Sequence, residues 1–286
     1  MEYFMRFGME ANPFLKNAKE ILFENPEFKE VQMRLNYLLT TKGFGVLTGG
    51  SGKGKTTGIR VWTKGLNASL YKVVYSSLST LTVTEFYRTL AVGLGLEPRY
   101  RKPDNFKMIQ DEIQRYALEK RITPVIIIDE ANHACNAILN DLKMLFNFEM
   151  DSRDRAVVLL AGLPSLNHTL QLGIHEPLRQ RITMNYNMDG FSKDESKEYI
   201  LTKLRGVHCS RQVFDENALE ALANAANGVP RLLNKLANSC LMIASSKNCD
   251  TVDSEIVMQA VLASGRNDHF ASGRKCQFLS GRKSQS

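Results

Sequence analysis

Short apolar runs alternate along the first two thirds of the chain with longer stretches whose apolar positions return every third or fourth residue. The runs cover residues 44–48, 72–76, 125–128, 157–161 and 182–188 and read as strands. The stretches between them, 57–64, 84–94, 104–120 and 137–150, read as helices. Ahead of them lies a turn at Asn12-Pro13-Phe14. After it, Phe28, Val31, Leu35, Leu38 and Leu39 recur at helical spacing. Strands that are short and continuously apolar, separated by helices, predict a parallel sheet covered on both faces.

After about residue 190 the strand pattern stops. Ser192 with Glu195 forms a capping box that opens a helix to about Arg205. Asp215 caps a second helix ending at Gly228; a third covers 231–246, and a fourth runs from about Asp253 to Ser264. Three regions follow. Residues 1–190 form an α/β domain with an N-terminal lead-in, and 191–265 form a small helical lid. Residues 266–286, where Ser-Gly-Arg-Lys occurs twice, are expected to be a disordered basic tail.

Composition narrows the class only a little. A chain of 286 residues with 43% hydrophobic and 23% charged positions suits a soluble globular protein. No apolar run approaches the roughly 18 residues that a bilayer span needs, and Met1 to Arg6 is too interrupted for a secretory leader. The five scattered cysteines contain no C-x-x-C pair and are expected as reduced thiols, so a cytoplasmic location is expected. A net charge of +7 leans towards a polyanionic partner.

The sharpest chemistry is local. Gly49-Gly50-Ser51-Gly52-Lys53-Gly54-Lys55-Thr56 fits G-x-x-x-x-G-K-T, and it sits between a strand and a helix that begins near Thr57. That context lets backbone N–H groups curl around phosphate oxygens at a helix N-terminus. A nucleoside triphosphate with Mg2+ is therefore expected, Lys55 reaching its phosphates and Thr56 giving its hydroxyl to the metal. Lys53 either faces solvent or adds a second phosphate contact. Val125-Ile126-Ile127-Ile128-Asp129-Glu130 supplies the other half. Asp129 ends a buried strand where it can hold hydrated Mg2+ through water, and Glu130 has the reach to activate a water. His133 is either a sensor of the terminal phosphate or a polar residue of the next helical turn.

Three cationic features complete the set. Arg181, with Arg179 as the alternative, precedes the fifth strand, on an edge where an arginine can serve a neighbouring subunit's nucleotide. Arg231 follows Gly228-Val229-Pro230 in a first helical turn, where a cation opposes the helix dipole and needs another partner such as nucleotide phosphate. Arg99, Arg101, Lys102 and Lys107, with Tyr100 among them, are candidates for contacts to DNA phosphates.

On these residues the sequence resembles the AAA+ ATPases, and within them the ExeA-like group that includes TnsC-like and IstB-like transposition ATPases. The resemblance covers about residues 3–265 and also rests on Phe7-Gly8-Met9, Asn12-Pro13-Phe14, Ala161-Gly162-Leu163-Pro164, Phe191, Tyr199 and Gly228 to Arg231. It implies Walker A at Gly49 to Thr56, Walker B at Asp129-Glu130, an arginine finger at Arg181 or Arg179, and sensor 2 at Arg231. It departs at Gly162-Leu163, where the family carries a polar sensor; Ser165 or Asn167 is the expected substitute, and slow hydrolysis would suit a switch. The implied role is an ATP-dependent, DNA-coating oligomer, ring or filament, that selects target DNA and activates a transposase. These residues show neither the membrane span and wall-binding domain of ExeA-like secretion ATPases nor the winged helix of replication initiators. A nucleotide-switch scaffold without DNA is the further alternative.

Overall fold

The computed structural model describes residues 3–18, 20–77, 82–148 and 153–272, the last seven by their backbone alone. The chain divides into two compact units, one of residues 24–190 and one combining 1–23 with 191 onward.

The first unit holds five strands: β1 (Gly43–Gly49), β2 (Tyr71–Ser77), β3 (Thr123–Asp129), β4 (Val157–Gly162) and β5 (Ile182–Met188). All pairs are parallel, in the order β2-β3-β4-β1-β5, so every strand ends on the same edge. Alternation along the strands divides the core. Leu47, Val125, Ile127, Leu159 and Ala161 face α1 (Pro26–Thr41) and α2 (Lys55–Lys64), where they meet Val31, Leu35, Ile59 and Trp62. Val46, Ile126, Ile128 and Leu160 face the opposite way, towards Phe86, Ile113, Leu142, Leu166 and Leu178. Those come from α3 (Val83–Leu94), α4 (Lys102–Leu118), α5 (Asn136–Leu145), α6 (Ser165–Gln171) and α7 (Glu176–Arg179). Each such side chain contributes about 1.5–3 kcal/mol on burial. The result is a three-layer α/β/α sandwich.

Two local readings differ from this. The helix expected over 137–150 stops at Leu145, because Phe146 and Phe148 turn into the core instead of continuing the helical face. Residues 149 and 150 lie outside the described residues. Helices α6 and α7 escape the pattern because seven and four residues are too few to display a period.

The second unit is helical: α8 (Lys193–Arg205), α9 (Glu216–Ala226), α10 (Pro230–Ser246) and α11 (Ser254–Ser272). Ser192 and Glu195 form the reciprocal capping box, and the Asp215 carboxylate accepts the Ala218 N–H at 2.6 Å. The N-terminal lead-in packs here and not with the sheet, which corrects the boundary expected at residue 190 alone. Phe7, Met9 and Phe14 are buried among Leu219, Leu222, Leu236 and Leu241. Buried Asn12 donates to Asn238 Oδ1 at 2.6 Å and accepts the Phe14 N–H at 2.9 Å. Asn238 stands 226 residues from Asn12, a separation that local patterns do not register. Helix α11 continues to Ser272, so the tail expected from 266 begins as helix; residues 273–286 lie outside the described residues.

Candidate nucleotide-binding site

The site is built where β1 and β3 end. All seven residues of β1 are buried, so the strand delivers Gly49 on a fixed base. A Cβ at Gly49 would lie 3.0 Å from both Cβ and the carbonyl oxygen of Met188 in β5, which excludes any larger residue. Gly52 and Gly54 take φ of +79° and +100°, the left-handed region that lets the loop curl before α2 starts at Lys55. Lys55 is 7% exposed, and its Nζ donates to the carbonyls of Gly49 at 2.7 Å and Gly50 at 3.0 Å. Lys53 is half-buried with its alkyl chain folded over Gly50, so it is not a freely solvated residue. Ser51 is exposed and Thr57 half-buried.

Asp129 is 4% exposed, and three donors hold it. Thr56 Oγ1 donates to Oδ2 at 3.1 Å, Tyr75 Oη donates to the same oxygen at 2.7 Å, and the Glu130 N–H donates to Oδ1 at 2.9 Å. Strand β4 lies between β1 and β3, so Thr56 and Asp129 meet across the end of an intervening strand. Glu130 has a φ of +55° and is exposed, which turns its side chain out of the sheet axis just as β3 ends. His133 closes the following turn by donating its N–H to the Glu130 carbonyl at 2.9 Å, and its side chain is exposed.

The departure at Gly162-Leu163 has a local cause. Asn132 Oδ1 accepts the Leu163 N–H at 2.9 Å, and a Cβ at Gly162 would come within 2.6 Å of that oxygen. Only glycine admits Asn132 there. Of the two expected substitutes, Asn167 reaches β1: its Nδ2 donates to Thr48 Oγ1 at 3.0 Å, one residue before the loop. Asn185 donates to Asn167 Oδ1 at 3.2 Å, and Thr48 donates to Asn187 Oδ1 at 3.1 Å. Ser165 is exposed at the start of α6.

The arginines lie at the other edge. Arg181 immediately precedes β5, and β5 runs parallel to β1, so the two sites are separated by the strand length, about 20 Å. Arg181 Nη1 donates to the Lys143 carbonyl at 2.9 Å and Arg179 Nη1 to the Gln171 carbonyl at 3.1 Å. Neither belongs to the phosphate loop of its own chain. Arg231 stands exposed in the first turn of α10, in the helical unit. The turn before it is fixed by Gly228, whose φ is +70° and whose Cβ would lie 2.2 Å from the Phe191 carbonyl oxygen.

Among the DNA candidates, Arg99 and Lys107 share an open groove of about 790 Å³ with Leu96, Asp104 and Asp111. Buried Asn105 pins the loop, accepting the Arg99 N–H at 2.7 Å and donating to the carbonyls of Arg99 at 2.9 Å and Arg101 at 3.2 Å. Tyr100 is 89% exposed. Lys102, whose side chain is 42% exposed, pairs through its Nζ with Asp141 at 2.6 Å above the Tyr87 ring. It ties α4 to α5.

Sequence reasoning missed Tyr75, Asn132 and Asn105. A tyrosine two residues before the end of a strand that borders the acidic strand was the signal for Tyr75. The other two take their roles from close backbone approaches.

A glycine-curled loop at the head of a helix, fed by the parallel sheet described above, is the arrangement of a P-loop nucleotide-binding fold. Residues 38–170 match the family described as an AAA domain. The chain is 28% identical over 272 residues to general secretion pathway protein A of Aeromonas hydrophila, covering 93% of this chain and 49% of that protein. It spans about half the length of the curated relatives it matches. Two solved structures share the fold. The Drosophila ORC bound to DNA has a TM-score of 0.70 at 15% identity, over 97% of this chain and 69% of that one. The Cdc6p of Pyrobaculum aerophilum has a TM-score of 0.66 at 14% identity, over 87% and 69% respectively. Among the described residues, no helix is long and apolar enough to cross a membrane.

Proposed function

We propose that the chain is an ATP-dependent AAA+ ATPase that assembles in several copies on double-stranded DNA and regulates transposition, selecting target DNA and activating a transposase. The observation that carries the nucleotide part is the Thr56–Asp129 hydrogen bond beneath a glycine loop that opens a helix. A helix N-terminus with a buried lysine suits polyphosphate, and a hydroxyl whose proton is spent on a carboxylate keeps its lone pairs for a cation. These residues fit Mg·ATP. Lys55 would hold the phosphates, with the backbone of Gly49, Gly50, Ser51, Gly52, Lys53 and Gly54; Thr56 and Asp129 would hold the cation, Asp129 through water; Thr57 would extend the cradle. Bound Mg2+ would neutralise charge on the phosphate oxygens. Glu130, exposed beside Asp129, would orient and deprotonate the attacking water. Arg231 would report nucleotide state to the helical unit.

Arg181 or Arg179 would complete the site of a second copy, since each lies a strand length from its own loop. Hydrolysis would then depend on assembly. Arg99 and Arg101, on the loop that Asn105 pins, and Lys107, on α4, are the DNA-contacting residues in this reading, Lys102 being engaged with Asp141. Contacts of this kind go to phosphates, so binding is steeply salt-dependent and has little sequence preference. A secretion ATPase is the second reading, favoured by the match to general secretion pathway protein A along 93% of the chain.

One experiment separates them. Light scattering and electron microscopy of the Glu130→Gln protein with ATP, with and without duplex DNA, should show ordered assemblies that need both. Assemblies indifferent to DNA favour the secretion reading; monomers under every condition overturn the assembly proposal.

A further inference from the structure

We infer that Tyr75 is a positioning residue for the cation half of this site, fixing the plane of the Asp129 carboxylate so that Thr56 and Asp129 face the metal as a preset pair. The inference rests on the nucleotide reading above and refines it. Strand β2 is an edge strand, and its register sets Tyr75 opposite Ile127 and Ser77 opposite Asp129. Side chains two apart share a face. Tyr75 therefore lies on the same face as Ile127 and Asp129, the face that α2 covers and from which Thr56 projects. A diagonal cross-strand reach is within the span of a tyrosine.

The hydrogen bonding shows what that reach accomplishes. A carboxylate offers about four lone-pair directions. Tyr75 and Thr56 fill both on Oδ2, and the Glu130 N–H takes one on Oδ1. One direction on Oδ1 is left for a metal-bound water, and rotation of the carboxylate would break the two bonds to Oδ2. The tyrosine is 51% exposed, so core packing does not dictate its position; its hydroxyl does. A phenol is protonated at neutral pH and so remains a donor to the carboxylate. Partners that orient a metal-binding group in this way typically change metal affinity about 10–100-fold when removed.

The test measures binding alone. A fluorescent ATP analogue is titrated into full-length protein in EDTA and then across a Mg2+ series, for the native chain, Tyr75→Phe, Tyr75→Ala and Lys55→Ala. The phenylalanine variant keeps the ring, so its melting temperature and its metal-free affinity should match the native protein. Its Mg2+ midpoint should rise about tenfold. A native midpoint in Tyr75→Phe overturns the inference, including the case where only Tyr75→Ala moves, because the ring and not the hydroxyl would then matter. So does an equal loss of affinity with and without metal. If Lys55→Ala binds as the native protein does, the nucleotide reading falls and Tyr75's role with it.

Discussion

The two edges of the sheet are finished differently. At the edge where strands end, Thr56 and Tyr75 donate to Asp129 and Lys55 donates to the loop carbonyls of Gly49 and Gly50, all through bonds of 2.7–3.1 Å. At the edge where strands begin, Arg179 and Arg181 donate to the backbone carbonyls of Gln171 and Lys143, with hydrophobic Leu172 and Ile174 half-exposed nearby in sequence. One edge is a preassembled receptor. The other carries two arginines a strand length from the phosphate loop of their own chain. A chemistry that needs both has to bring two copies together, and that contrast can be attacked from either side.

The largest effect belongs to the receptor edge. Lys55→Ala should weaken ATP binding at least about 100-fold, equivalent to about 2.7 kcal/mol, as measured by calorimetry. A native affinity would erase the distinction between the edges. Next, Glu130→Gln should leave ATP affinity within about threefold but slow hydrolysis about 100–1,000-fold, the scale of losing a positioned base. Normal turnover would remove Glu130 from its role. Arg181→Ala should cut hydrolysis by about 1,000-fold without changing affinity. Mixed with Lys55→Ala protein, it should recover activity, since each variant supplies the group the other lacks. If Arg179→Ala behaves so instead, the finger is Arg179.

Two smaller effects sharpen the boundaries. Arg101→Ala should reduce the slope of DNA affinity against salt by about one unit. Lys102→Ala should leave that slope unchanged and lower stability by about 1 kcal/mol or less, as a half-exposed ion pair allows. The last is a pH effect. His175 is fully buried with Nε2 3.0 Å from Asn136 Oδ1, and burial lowers its pKa below the ordinary 6.5. The unfolded chain therefore takes up the proton first. The stability from neutral His175 is fully present above pH 6.5 and is lost as pH falls through the folded value. His175→Gln should flatten that acid limb in chemical denaturation curves.

How much of this the sequence discloses depends on how far apart the cooperating groups stand. The loop from Gly49 to Thr56 and the Asp129-Glu130 pair are contiguous, and contiguous chemistry is legible. Strands β1, β3 and β4 show because burial on both faces leaves uninterrupted apolar runs. The ion pair of Lys102 is not visible beside Arg101 in the sequence, because Asp141 arrives from another helix. Tyr75 and Asn132 act through partners on other strands and turns; for Tyr75 only its place near the end of β2 hints at the role, and for Asn132 no local pattern does. Helix α11 outruns its expected end because Gly265 resembles a stop but need not be one when the helix meets no obstacle.

The assignment of the first 23 residues to the helical unit has a practical consequence for anyone handling the protein. Trimming the chain to its sheet-containing unit by starting near Glu24 would look harmless on an alignment. It would remove Phe7, Met9 and Phe14 from a core 200 residues downstream and leave Asn238 without its partner. The sheet would be intact while the helical half lost its stuffing, and a preparation made that way would report on a damaged molecule.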